Sequence, residues 1–196
     1  MNAVSYVRQS LEAAVRLARF DKTAIGDFDT SFEGFFKSFA AMVLCIPLYL
    51  IQMAAQRYVI SGMENAPALE PIGPGMFAVD LFFYAVEWIA FPLAMIAIVP
   101  LINAGPRYVP FIIAHNWASC LVLAAQVLPS LFLLAGLQFL ATATALPLLI
   151  AALVYLWLVA REGLQTSAAS AAGIVVLEIL LSVLVQLGTA SLQSAT

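Results

Sequence analysis

From Tyr108 to Ala160 the chain contains no Lys, Arg, Asp or Glu. A water-soluble domain cannot leave so long a stretch without charge, whereas a helix crossing about 30 Å of hydrocarbon needs about 20 apolar residues. The bias extends to the whole chain: 64% of its 196 residues are hydrophobic and 10% charged, against about 45–50% and about 25% in soluble domains. A fold of this size has too much surface for its volume to hide that excess. The excess faces lipid, so the composition predicts an all-α polytopic integral membrane bundle. Soluble enzymes, nucleic-acid binders and disordered adaptors are excluded. The net charge of −3 brings no basic cluster to neutralise phosphates, and no nucleic-acid partner is expected.

Five spans are predicted, at about 36–57, 76–101, 109–134, 139–160 and 169–190, preceded by an N-terminal unit of residues 1–35. Turn signals alone divide the third span from the fourth. Pro129-Ser130 and Gly136-Leu137-Gln138 compete for that break, and Gly136 leaves two segments of workable length. Arg8, Arg16, Arg19, Lys22 and Lys37 precede or open the first span, Arg107 lies in the second loop and Arg161 in the fourth. The positive-inside rule then puts the N-terminus in the cytoplasm and the C-terminus outside. The first loop carries Glu64 and Glu70, as an external loop does, and Arg57 snorkels from a helix end. The N-terminus does not read as a secretory signal and no lipidation motif is recognised. The Ala- and Leu-rich composition points to a bacterial cytoplasmic membrane.

Val4, Val7, Leu11, Ala14, Val15 and Ala18 recur at three- and four-residue steps, with Ser5, Arg8, Glu12, Arg16 and Arg19 on the opposite face. The spacing predicts an amphipathic interfacial helix. Arg8, Arg16, Arg19 and Lys22 would meet anionic lipid, while the apolar face packs on the bundle or receives a partner. Thr30 and Glu33 fit a capping box for the next helix, and the phenylalanines from Phe28 to Phe36 suit headgroup depth.

Ionisable groups inside the spans carry most of the remaining information, because a charge at a helix centre costs about 2.5–3.5 kcal/mol on insertion scales. Asp80 and Glu87 lie seven residues apart on the second span with Tyr84 between them, which sets all three on one face. Glu178 falls near the middle of the fifth span, followed at four-residue steps by Ser182 and Gln186; His115 and Asn116 lie about two turns into the third. The expectation is one internal polar cluster. It serves as interhelical glue, as a proton- and ion-handling site built on Glu87, Glu178 and His115, or as a binding site for a partner subunit.

Ala169 and Gly173 form a small-xxx-small pair at the start of the fifth span, for close helix packing within the chain or for a dimer face. Pro47, Pro92, Pro100 and Pro147 fall within spans, and Trp157 beside Arg161 suits an interfacial anchor. Cys45 and Cys120 read as small hydrophobes rather than a disulfide. One histidine and no ligand spacing argue against a metal, and no phosphate-cradle, dinucleotide or nucleophile motif is present. No cofactor and no enzymatic activity are expected.

Gly34-Phe35-Phe36-Lys37-Ser38-Phe39 at the first span, and Arg107-Tyr108-Val109 leading into Asn116-Trp117, occur in a chain with a cytoplasmic N-terminal region and five closely packed spans. Over roughly residues 28–190 this layout resembles the Yip-type (Ypt-interacting-protein-like) membrane protein family, bacterial branch. For eukaryotic members the resemblance implies organising vesicle-traffic GTPases; for the bacterial branch it carries over no assigned activity. It transfers no catalytic residue. The short loops leave most exposed surface facing lipid and available to another membrane protein, so the leading expectation is a non-enzymatic accessory subunit or scaffold that contacts membrane lipids and a protein partner or a second copy of itself. The runner-up is a small proton-coupled carrier.

Overall fold

The structure, a computed structural model, describes residues 2–62 and 73–193. Glu64 and Glu70, on which the external assignment of the first loop leaned, lie outside the described residues. Helices α1 (Ala3–Ala18), α2 (Phe32–Ser38), α3 (Ala40–Ser61), α4 (Pro74–Leu101), α5 (Tyr108–Leu134), α6 (Gln138–Leu164) and α7 (Ala168–Gln193) follow one another, with 3-10 turns at Lys22–Asp27 and Gly105–Arg107. Five stretches are long and apolar enough to cross a membrane: Phe32–Ser61, Pro74–Leu101, Gly105–Leu134, Gln138–Leu164 and Ala168–Leu192. The chain is an all-α polytopic membrane bundle. Its first span starts four residues before the expected boundary because Phe39, at φ −70° and ψ −9°, carries α2 into α3 with helical backbone.

The break between the third and fourth spans falls at Gly136. Its φ of +77° is a left-handed conformation that glycine adopts without a Cβ penalty. The reversal lets Leu137 N–H reach back to Phe132 C=O and Gly136 N–H to Leu133 C=O, satisfying carbonyls that the end of α5 would leave bare. Pro129 stays inside α5.

Two features of the N-terminal unit differ from expectation. The N-cap of α2 is Ser31, whose hydroxyl accepts from Gly34 N–H, and not Thr30; Glu33 turns instead to Lys37 at 2.5 Å. Asp29 accepts from Ser31 N–H and so positions the capping residue. The buried face of α1 is also rotated from the hydropathy stripe. Tyr6, Ser10, Ala13, Ala14 and Leu17 are buried, while Val4 and Ala18 are exposed. The pattern misled because Tyr6 and Ser10 count as polar, yet their hydroxyls find partners or close packing within the protein. Tyr6 donates to Gly34 C=O at 3.0 Å and receives the Trp117 indole N–H at 3.4 Å, and Tyr155 donates to Ala14 C=O at 2.8 Å. Helix α1 is thus a packed part of the bundle.

Helix α5 is the hub. It packs on α3 and α6 and receives α1 and α2 at one end, while α7 bridges α6 and α4. At that α1 end the core is solid, with Leu17, Met95, Val99, Ile112, Ile113, Trp117 and Val159 buried together. Lys22 pairs with Glu162 at 2.9 Å and Arg107 with Gln165 at 2.6 Å, which ties the N-terminal unit and the second loop to the end of α6. Farther from α1, α3, α4, α5, α6 and α7 enclose a cavity lined by both polar and apolar side chains.

Candidate functional site

Each polar side chain of the expected intramembrane cluster lines one cavity of about 780 Å³: Asp80, Tyr84 and Glu87 from α4, His115 and Asn116 from α5, and Glu178, Ser182 and Gln186 from α7. The α4 set converges because positions 80, 84 and 87 fall on one face of a helix, and the α7 set because 178, 182 and 186 are single turns apart. The lining runs from buried His115 and partly buried Glu178 to exposed Gln56 and Gln186 near the far ends of α3 and α7. The cavity volume lies within the about 300–1,000 Å³ usual for ligand sites.

Two contacts join helices across it. Ser182 Oγ donates to Glu87 Oε1 at 2.5 Å, coupling α7 to α4, and His115 Nε2 lies 3.4 Å from Glu178 Oε1, coupling α5 to α7. Glu178 and Ser182 are one turn apart, so the carboxyls of Glu87 and Glu178 face the same space within about 6 Å of helix rise. The His115 ring stacks on Phe91 with centroids 4.3 Å apart, and Ser119 Oγ sits 3.5 Å from its Nε2. Asp80 is buried at 7% exposure although it is only six residues from the start of α4.

Asn116 only partly joins the group. Its amide donates to Ser38 Oγ at 2.9 Å, and Ser38 in turn donates to Phe35 C=O, so Asn116 fastens α5 to α2. Tyr84, likewise, directs its hydroxyl to Met42 C=O on α3 at 2.6 Å while its ring stays on the wall. Among the described residues every buried side-chain nitrogen and oxygen has a hydrogen-bond partner.

The sequence reading missed the contribution of α3. Tyr49, Gln52 and Gln56 line the cavity from that helix, joined by Ser119 and Gln126 of α5 and Thr189 of α7. Gln52 and Gln56 are four residues apart, which is the signal that could have found them. Phe83, Trp88 and Phe91 add an aromatic wall from α4.

Of the two readings of the small-xxx-small pair, packing within the chain does not occur at these residues. Ala169 and Gly173 are exposed, and a Cβ added at Gly173 would meet nothing within 4 Å. Close approach occurs instead at Gly163, where a Cβ would lie 3.1 Å from Phe111, and at Gly188, where it would lie 3.2 Å from Phe83. Helix α7 packs through Ala171, Ile174 and Val175.

The cations assigned to the lipid surface are largely engaged by protein. Arg8 pairs with Glu12 at 2.8 Å, Lys22 with Glu162, and Arg16 with Asp21 at 2.6 Å and with Asp27. Hydrogen bonds from Thr23, then from Arg16, hold the Asp21 carboxyl below its usual range. Arg19 is exposed at the end of α1. Trp157 donates to Ala168 C=O at 3.0 Å with the Arg161 guanidinium over its ring.

The fold and the cavity define a five-span membrane protein with an internal polar chamber. No family model, no curated protein and no solved structure matches the chain.

Proposed function

We propose that this protein is a non-enzymatic membrane carrier that admits a small solute to the chamber and exchanges protons through Glu87, Glu178 and His115. The observation that supports the reading is the convergence of three intramembrane carboxyls and the histidine on one space large enough for a ligand. Interhelical glue accounts for Ser182–Glu87 and His115–Glu178 as contacts, but not for the open volume they face. In the orientation that the Lys and Arg distribution favours, the α1 end is cytoplasmic and Gln56 and Gln186 lie toward the outer side. The test is proton flux in liposomes containing the purified protein, read with an entrapped pH-sensitive dye. Glu87→Gln and Glu178→Gln keep shape and hydrogen bonding while removing titration. Loss of flux in both variants is expected, and undiminished flux in both would refute the mechanism.

A second reading, an accessory subunit or scaffold, is favoured by one observation: the small residues Ala169 and Gly173 face outward, where another helix can approach closely. It assigns the exposed helix faces to lipid and to a partner. Native mass spectrometry after mild extraction from a bacterial inner membrane tests it. A stoichiometric second polypeptide supports this reading, and a bare monomer refutes it.

A further inference from the structure

Among the described residues, the chamber lining places the carboxyls of Glu87 and Glu178 on one space, with His115 as a basic side chain beside Glu178 and neither Lys nor Arg on the wall. An anionic solute entering such a space is repelled, and a neutral one leaves Glu87 and Glu178 either protonated or without a counter-charge from the solute. A cation compensates them.

The walls say which kind of cation. Trp88 and Tyr84 meet edge to face with centroids 6.2 Å apart, and Tyr84 packs on Tyr49 at 4.5 Å. These rings lie beside Glu87 on the chamber wall, and Trp presents the strongest face to a cation. Leu123, Leu153 and Val175 complete an apolar side. Among the described residues no three His, Cys, Asp or Glu side chains converge as a metal ion requires. Carboxyls beside aromatic rings in a roomy, part-apolar chamber match a substituted ammonium rather than a bare ion.

We propose that the chamber binds a small organic cation of the quaternary or tertiary ammonium class, seated between Glu87 and Glu178 and the rings of Trp88 and Tyr84. This rests on the carrier reading and specifies its substrate. The exchange balances in charge: a protonated carboxyl releases its proton to water as the ammonium takes its place beside the carboxylate. No bond other than the O–H is broken.

The test is isothermal titration of the full-length protein in nanodiscs with tetramethylammonium, choline and benzyltrimethylammonium. The neutral control is 3,3-dimethylbutan-1-ol, which matches choline in shape with carbon in place of the charged nitrogen. Titration in two buffers of different ionisation enthalpy counts the protons released. At least one ammonium is expected to bind about tenfold or more tighter than the alcohol, with net proton release. Glu87→Gln combined with Glu178→Gln should weaken it by about tenfold or more and remove the release. Trp88→Leu should weaken it several-fold while leaving the protons released per bound cation unchanged. Glu87→Asp, which keeps the charge, should retain binding and guards against a folding defect in the glutamine variants. Equal binding of alcohol and ammonium, or no ammonium binding where proton flux remains sensitive to the glutamine variants, overturns the cation assignment and leaves the carrier reading standing. No ammonium binding together with insensitive flux overturns both.

Discussion

Ser182 on α7 and Glu87 on α4 are joined across the chamber by a hydrogen bond of 2.5 Å, the hydroxyl donating to the carboxyl oxygen. The bond fixes the rotamer of Glu87 and closes the ring of helices on the side away from α5. Polar contacts between membrane helices are worth about 0.6 kcal/mol on average and at most about 1.7 kcal/mol, because the separated helices also find partners. Ser182→Ala should therefore lower stability by about 1 kcal/mol, measurable as reduced resistance to unfolding in a denaturing detergent. Glu87→Gln keeps an acceptor for Ser182 and should cost less stability than Ser182→Ala while abolishing proton flux. A larger loss of stability in Glu87→Gln would make the pair structural first.

The glycines separate intramolecular packing from an outward face. A Cβ at Gly163 would stand 3.1 Å from Phe111, a buried ring that cannot retreat, whereas one at Gly173 meets open space. Gly163→Val should destabilise the monomer by about 1–3 kcal/mol through overpacking. Gly173→Val should leave monomer stability within about 0.5 kcal/mol, as surface changes do. Detergent unfolding of both variants checks the contrast. If Gly173→Val alters the mass of a native complex without changing monomer stability, the accessory-subunit reading gains the face it needs.

Much of this was legible in the residues themselves, for a physical reason. A carboxyl in an apolar helix breaks the local hydropathy, so Asp80, Glu87 and Glu178 announce themselves, and helical periodicity then says which of them share a face. Gln52 and Gln56 raise no such alarm, since an uncharged amide is tolerated near a span's end. Which side of α7 carries its close packing was not legible either. A small-xxx-small pair states that an approach is possible, and the neighbours at Ala171 and Ile174 decide where it occurs. On α1 the hydropathy stripe pointed to a neighbouring face, because two hydroxyl-bearing residues, Tyr6 and Ser10, are buried while Val4 and Ala18 are not.

Cys45 on α3 and Cys120 on α5 face each other with sulfurs 2.9 Å apart, both thiols free and buried. The contact places the two helices in register at the boundary between the solid and hollow halves. Mild oxidation by copper-phenanthroline in membranes should form an intramolecular disulfide, seen as a faster-migrating band on non-reducing gels. Cys45→Ser and Cys120→Ser should each abolish the shift. Failure of the wild-type protein to cross-link, with thiols still reactive after denaturation, would contradict the α3–α5 packing.

Tyr6 tests the docking of α1. Burial raises its phenol pKa above the ordinary 10.0, with the Trp117 hydrogen bond pulling in the opposite direction. A phenol whose pKa is raised by folding stabilises the folded form fully below the unfolded value, and that contribution is lost as pH rises through the folded pKa. Docking should thus be unaffected from neutral pH to about 9 and weaken above about 10. Tyr6→Phe removes the hydrogen bond to Gly34 C=O and the acceptor for the Trp117 indole. Each is worth about 1 kcal/mol, so α1 should be looser at neutral pH and lack the alkaline step. Protease cleavage within residues 2–30, followed between pH 8 and 11 in both proteins with a protease active across that range, reads the difference. An alkaline step of equal size in Tyr6→Phe would assign the titration to another group and detach Tyr6 from the docking of α1.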